Sequence, residues 1–369
     1  MTNTLEAEVK EVDEVEGLDK DEDTSLGDYP IDTLLIRNET RTVHDVLRRI
    51  EKGSFIMDPD FQRDFIWPED KQCKLIESVI MRIPLPVFYL AENNKGQMIV
   101  VDGLQRLSTF QRFVNNELKL KLPHQSELHS KYFKDLSPKL QNRVEDSSLV
   151  LYVIDAKVPT QALLDIFERV NGGVPLTRQQ MRNCLFSGNA TRFLKEEAKT
   201  QVFLNATGSS LNKKTMRDRE LINRFCAFQL LGTSHFRGDM DDFLAQALEK
   251  MNNISVCELE ALSEKFRASM RNNYLLYQKH AFRKHSSPHN SRSVINASLW
   301  DVMSTGLCRY SEPLIEAKKE QLQQATFKLF KNQVFNDAIS LGTNQVSRVQ
   351  DRFKLANEML KEVLGAPAN

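Results

Sequence analysis

The sequence predicts an α+β protein: a small mixed sheet with helices over residues 29–158, followed by an all-helical region over 159–369. Three observations carry this expectation. The short β-branched or aromatic apolar runs at 87–90, 97–101 and 149–154 all fall in the first part. From Thr160 onward apolar residues recur at helical spacing behind recognisable caps. The composition, 41% hydrophobic and 27% charged with 14 Gly and 12 Pro in 369 residues, is that of a packed globular chain.

In chain order, residues 1–28 come first, with eleven acids against Lys10 and Lys20, a net −9 that leaves +9 on the rest. They are expected to form a disordered acidic tail. A basic body suits nucleic acid, and the tail can compete for the same surface; the alternative is an ordinary solvated tail. Residues 31–36 read as extended, and Val43, Val46, Leu47 and Ile50 as a helix behind Thr42. The stretch 55–67 has no helical period. Pro68, Glu69 and Asp70 then make a first helical turn, with proline where its missing N–H does no harm and acids where the helix dipole favours them. That helix carries Leu75, Ile76, Val79 and Ile80 and stops at Pro84, while Pro86 keeps the chain extended into a strand at 87–90. A polar turn at 92–96, a strand at 97–101 and a helix through Leu104, Leu107, Phe110, Val114 and Leu118 follow. Residues 123–138 read as a polar connection and 149–154 as one more strand.

The second part is read as helices only. Leu163, Leu164, Phe167 and Val170 mark one; Thr177 with Gln180 forms a capping box for the next. A third covers 218–231 and stops at Gly232, and Ser255 with Glu258 caps a long one reaching about residue 282. Further helices are expected at 293–308, 312–331 and 343–364, without an internal repeat. Cys73, Cys184, Cys226, Cys257 and Cys308 are widely spaced, contain no CxxC, and read as reduced core thiols. No apolar run suffices to span a bilayer, and the acidic start lacks a signal peptide's basic and apolar regions; a cytoplasmic protein without membrane contact is expected.

The sharpest local feature is Val100-Val101-Asp102-Gly103-Leu104-Gln105-Arg106-Leu107-Ser108-Thr109, where a strand ends and a helix begins. A helix N-terminus presents unpaired N–H groups and about half a positive charge, so it attracts anions. Gly103 lets backbone approach a phosphate, Arg106 can fork onto its oxygens, and Ser108 and Thr109 offer hydroxyls. Asp102 can hold a divalent cation or orient Arg106. The plain alternative is a strand-to-helix turn with Asp as cap and Arg in solvent. A second cluster, Phe61-Gln62-Arg63-Asp64-Phe65-Ile66-Trp67, precedes the proline-started helix; Gln62 and Arg63 can reach the phosphate or base of the same ligand, and Trp67 reads best as an anchor.

Together FQRDFIW, IPLPVFYL and VDGLQRLSTF resemble the family typified by the N-terminal domain of GmrSD-type modification-dependent restriction endonucleases. Its signature is an aromatic-Gln-Arg segment ending in Trp, then Ile-Pro-x-Pro, then Asp-Gly-Gln-Gln-Arg. Phe167-Glu168-Arg169-Val170-Asn171-Gly172-Gly173 with Leu176-Thr177 is similar to a later family segment, so the resemblance covers about 29–190. It implies a fold similar to ParB and sulfiredoxin, with the box as nucleotide-phosphate site. By position Gln62, Arg63, Gly103, Gln105, Arg106, Ser108 and Thr109 would bind nucleotide, and Asp102, Gln105 and Arg106 would be catalytic. It also implies an NTP, with Mg2+ as its candidate metal, and DNA, a separate nuclease or a defence-system subunit as partners.

Two departures bear on activity. Leu104 stands where the box has its first glutamine, which weakens hydrolysis if that glutamine positions water. The helical second half also lacks the ββα unit of a His-Asn-His nuclease: His280, His285 and His289 read as a solvated basic loop, with Pro288 breaking any shared helix face. No protein metal site is expected. A Walker motif, nucleophile elbow and HExxH are missing too, which disfavours the corresponding NTPase, hydrolase and protease classes. Two functions stay open: an NTP-binding, NTP-hydrolysing protein that processes or senses DNA in a restriction or phage-defence system, and a non-catalytic, nucleotide-gated module that docks DNA or a partner.

Overall fold

Alternation of inward-pointing apolar side chains along short strands builds the sheet. The computed structural model describes residues 15–18, 35–57, 67–93, 95–170, 177–285 and 291–367. Its strands are β1 (Ile36–Thr42), β2 (Phe55–Ile56), β3 (Phe88–Glu92), β4 (Met98–Asp102) and β5 (Ser148–Ile154), in the order β1-β5-β3-β4-β2. The sheet is mixed: β1–β5 and β3–β4 are antiparallel, β3–β5 and β2–β4 parallel. Phe88 and Leu90 of β3, Val100 of β4 and Leu149, Leu151 and Val153 of β5 share one core with helices α1 (Val43–Glu51), α2 (Glu69–Ile80), α3 (Leu104–Val114) and α4 (Pro138–Glu145). Ala91, Val101 and Ile154 belong to a second core, closed by Val158, α5 (Thr160–Val170) and α6 (Arg178–Leu185). Covering that second face draws α5 and α6 into the sheet's own unit, residues 25–185.

The α+β class stands, with its sheet where the short runs placed it. Thr42 caps α1 by accepting from the Asp45 N–H, and Thr177 and Gln180 bond each other's backbone N–H reciprocally at 3.3 and 2.7 Å. The first strand differs from expectation. It runs Ile36–Thr42 in polar residues, because β1 is an edge strand whose Glu39 is flanked by Arg37 and Arg41, and Arg37 bonds Glu92. Helix α4 follows the polar connection, in a stretch given no element by the sequence; at eight residues it displays a single buried position, Val144, too few to register as a period.

The other unit holds residues 1–24 and 186–369. Its helices are α7 (Asn189–Glu197), α8 (Gln201–Thr207), α9 (Arg217–Leu230), α10 (Met240–Asn253), α11 (Val256–Tyr277), α12 (Ala297–Leu307), α13 (Glu312–Ala317), α14 (Lys319–Phe330), α15 (Gln333–Ala338) and α16 (Val346–Leu364). Helix α12 is buried over its whole length, the signature of a central element. Trp300 on it meets Phe203, Phe266 and Phe282. Asp301, also on α12, accepts a two-armed bond from Arg224 of α9 at 2.8 and 2.6 Å and a third from Arg352 of α16 at 2.9 Å. Burial pulls the Arg352 guanidinium down to about 10 against the opposing pull of Asp301. Residues 15–18, inside the expected tail, are ordered in this unit, with Val15 in its core.

Three further expectations change. His280 is buried, and its ring stacks on that of His285 at 4.8 Å, while His285 also meets Tyr277, Phe327 and Phe330. These two are packed aromatics, not a solvated loop; His289 lies outside the described residues. Cys257 is exposed near the start of α11, unlike the buried Cys73, Cys184 and Cys226. The long helix stops at Tyr277, where Gln278 adopts a left-handed φ of 46°. Among the described residues no helix is long and apolar enough to cross a membrane, and no three His, Cys, Asp or Glu side chains are grouped to hold a metal.

The Asp301 carboxylate is the anion that two buried guanidiniums share, so Asp301→Asn removes the charge that both bond. We expect a stability loss of roughly 3–5 kcal/mol, seen as a lower urea midpoint with unchanged slope; an unchanged midpoint contradicts this role.

Candidate functional site

The turn from β4 into α3 is dictated by Gly103. Its φ of 99° lies in the left-handed region, and a Cβ there would stand 2.2 Å from Cδ1 of the buried Phe88 ring. Only glycine serves both needs. Asp102 closes β4, and α3 begins at Leu104, its N-cap having no side chain. The first-turn N–H groups of Leu104, Gln105 and Arg106 point out of the helix end, where the dipole contributes about half a positive charge.

The side chains of the box face inward more than expected. Arg106 is 8% exposed and lies 4.1 Å over the Phe88 ring. It donates to the Pro86 carbonyl, to the Val87 carbonyl at 3.0 Å and to Asp102 Oδ2 at 2.8 Å. Burial lowers its pKa, and Asp102 opposes the fall. The guanidinium thus ties the Pro86–Val87 backbone to the end of β4. Leu104 sits in the core at 7% exposure, which accounts for the missing glutamine: a buried amide would need partners that an apolar pocket lacks. Thr109 is buried and donates to the Gln105 carbonyl at 2.7 Å, so its hydroxyl serves the helix. Ser108 is half-buried, and the Asp102 carboxylate keeps 34% exposure.

Gln105 links the box to the upstream cluster. Its Oε1 accepts the Trp67 N–H at 3.0 Å, Gln72 Nε2 bonds the Trp67 carbonyl at 2.5 Å, and Lys71 lies 4.2 Å over the Trp67 ring. Trp67 is therefore the anchor that the sequence suggested. Gln62 and Arg63 lie outside the described residues.

Beyond the Pro86–Val87 segment is a feature without a local motif. Arg82, Ile83, Pro84, Leu85, Lys139 and Arg143 line a cleft of about 590 Å³, with Asp146 at its rim. The C-terminal ends of α2 and α4 meet there, and Arg143 donates to the Ile80 carbonyl at 3.3 Å. Arg82 and Lys139 are exposed and form no ion pair among the described residues. Lys139 and Arg143 are one turn apart on α4, and Arg82 follows the distant α2, so no single local motif announces the three together.

Residues 43–187 match the model of the GmrSD restriction endonuclease, N-terminal domain. The matched stretch is similar to that domain; it begins inside the compact unit of residues 25–185 and ends within two residues of that unit's end. Neither a curated protein nor a solved structure matches the chain.

Substituting the turn glycine tests the geometry that shapes the box. Gly103→Ala combines left-handed strain with overlap onto Phe88, and we expect a loss of roughly 2–5 kcal/mol, read as a lower Tm. A Tm equal to that of the wild type contradicts the close approach.

Proposed function

We propose that the GmrSD-type N-terminal domain at residues 43–187 binds an NTP by its phosphates at the start of α3, within a protein directed at DNA in a restriction or phage-defence system. The observation that carries this reading is the Gly103 turn, which offers three first-turn helix N–H groups with no partner among the described residues beside the partly exposed Asp102 carboxylate. Backbone N–H groups would hold phosphate oxygens, Ser108 would add a hydroxyl, and Asp102 would hold Mg2+ bridging the phosphates. Arg106 would act by fixing Asp102 and the Pro86–Val87 segment. Gln105, bonded to Trp67, would transmit ligand occupancy to Gln62 and Arg63 upstream. The cleft with Arg82, Lys139 and Arg143 would take DNA phosphates, and such a role places the protein in the cytoplasm with DNA and a separate nuclease subunit.

A second reading is favoured by a specific observation. Arg106 is committed to two carbonyls and a carboxylate, and the buried Leu104 stands where the box has its first glutamine, so the box presents no outward arginine and lacks that glutamine to stabilise a transition state. On that ground the domain is a nucleotide-gated module whose occupancy, not hydrolysis, controls DNA engagement.

Gln105→Glu separates phosphate binding from a purely structural box. The carboxylate retains the acceptor for the Trp67 N–H and suits a helix N-terminus, so folding is preserved, yet it sets a negative charge beside the proposed phosphates. We expect calorimetry to show Mg-NTP binding to the wild-type chain, and affinity at least about tenfold lower for Gln105→Glu. Equal affinities, or no binding of any NTP with or without duplex DNA, contradict the proposal. Phosphate release assayed in parallel distinguishes turnover from gating.

A further inference from the structure

Residues 15–18 meet the helical unit as an added strand. Residues 295–296 form a short extended segment leading into α12, one side of which is already paired: the Asn296 N–H bonds the Phe282 carbonyl at 3.0 Å, and Arg283 bridges Ile295 antiparallel. Glu16 takes the other side in parallel register. Its N–H donates to the Ile295 carbonyl at 2.8 Å, and its carbonyl accepts from the Ala297 N–H at 2.9 Å. The Glu16 carboxylate meets Lys284 Nζ at 2.6 Å, and the same ammonium bonds Ser340 Oγ at 2.7 Å. Val15 is 5% exposed in the core, and Leu18 packs against it. Gly17 turns at φ 86°; a Cβ there meets nothing closer than 3.8 Å, so the demand for glycine comes from the backbone alone.

This is how a linear peptide is recognised: main-chain bonds to a strand edge, one β-branched side chain in a pocket, one charge on a complementary charge. Val9, Val12 and Val15 each follow a glutamate, but only Val15 is followed by Glu-Gly-Leu, which matches the ammonium, the left-handed turn and the apolar rim in order.

We propose that the edge at residues 295–297, with Lys284 and the Val15 pocket, is a docking site for an acidic extended peptide, and that residues 15–18 of this chain occupy it as a detachable, tethered ligand. Chain connection raises the local concentration of the segment, so an interface of this size can be filled in cis and still open to exchange. The proposal does not depend on the nucleotide reading, since every residue in it belongs to the helical unit.

The test uses the full chain and a fluorescein-labelled peptide of residues 11–22. Two variants, Val15→Asp and Glu16→Pro, remove the anchor and the donated backbone bond respectively. We expect faster exchange of the Ala297 amide in both, and peptide affinity at least about tenfold higher for both than for the wild-type chain, whose site is filled. A peptide carrying Gly17→Ala should bind roughly 5- to 30-fold more weakly, the cost of one left-handed residue. Failure of the native peptide to bind variants with freed amides overturns the proposal, as does equal binding of the Gly17→Ala peptide. Loss of the helical fold in both variants overturns it too, because the segment would then be an integral strand.

Discussion

The architecture of the box depends on one desolvated guanidinium. Arg106 reaches from the first turn of α3 to the Pro86 and Val87 carbonyls and to Asp102, lying flat on Phe88. Those contacts bring the chain entering β3, the end of β4 and the start of α3 to one point. Gly103 is required because Phe88 fills the space where a Cβ would stand, and Phe88 is held there by the same arginine. A buried cation keeps its charge only with such partners, so the strand-to-helix turn is held in one arrangement.

That arrangement divides the labour of the motif. Side chains that look outward in a sequence pattern, Arg106 and Thr109, are spent on the protein itself, leaving backbone N–H groups and Asp102 toward solvent. Gln105 extends the same scaffold to Trp67, just before α2. The helical unit uses a comparable device in Asp301, where one carboxylate gathers arginines 77 and 51 residues distant.

What could be read from the sequence was local in cause. The α+β division, the Thr42 cap, the Thr177–Gln180 and Ser255–Glu258 boxes and the strand-to-helix position of Gly103 each follow from residues a few places apart. What escaped depends on distant partners. The polar edge strand β1 is set by pairing with β5, α5 and α6 join the sheet's unit because Ala91 and Ile154 need cover, and the inward turn of Arg106 needs the Pro86 and Val87 carbonyls. The docking of Val15 combines residues at opposite ends of the chain, which no periodicity reveals.

The central claim is that the N–H groups opening α3 hold phosphate while Arg106 stays in its structural role. Amide exchange measured residue by residue, with and without Mg-NTP, addresses it directly. The account predicts slowed exchange at Leu104, Gln105 and Arg106, with the Arg106 guanidinium signals unmoved. Unchanged exchange at those three amides under saturating nucleotide contradicts it.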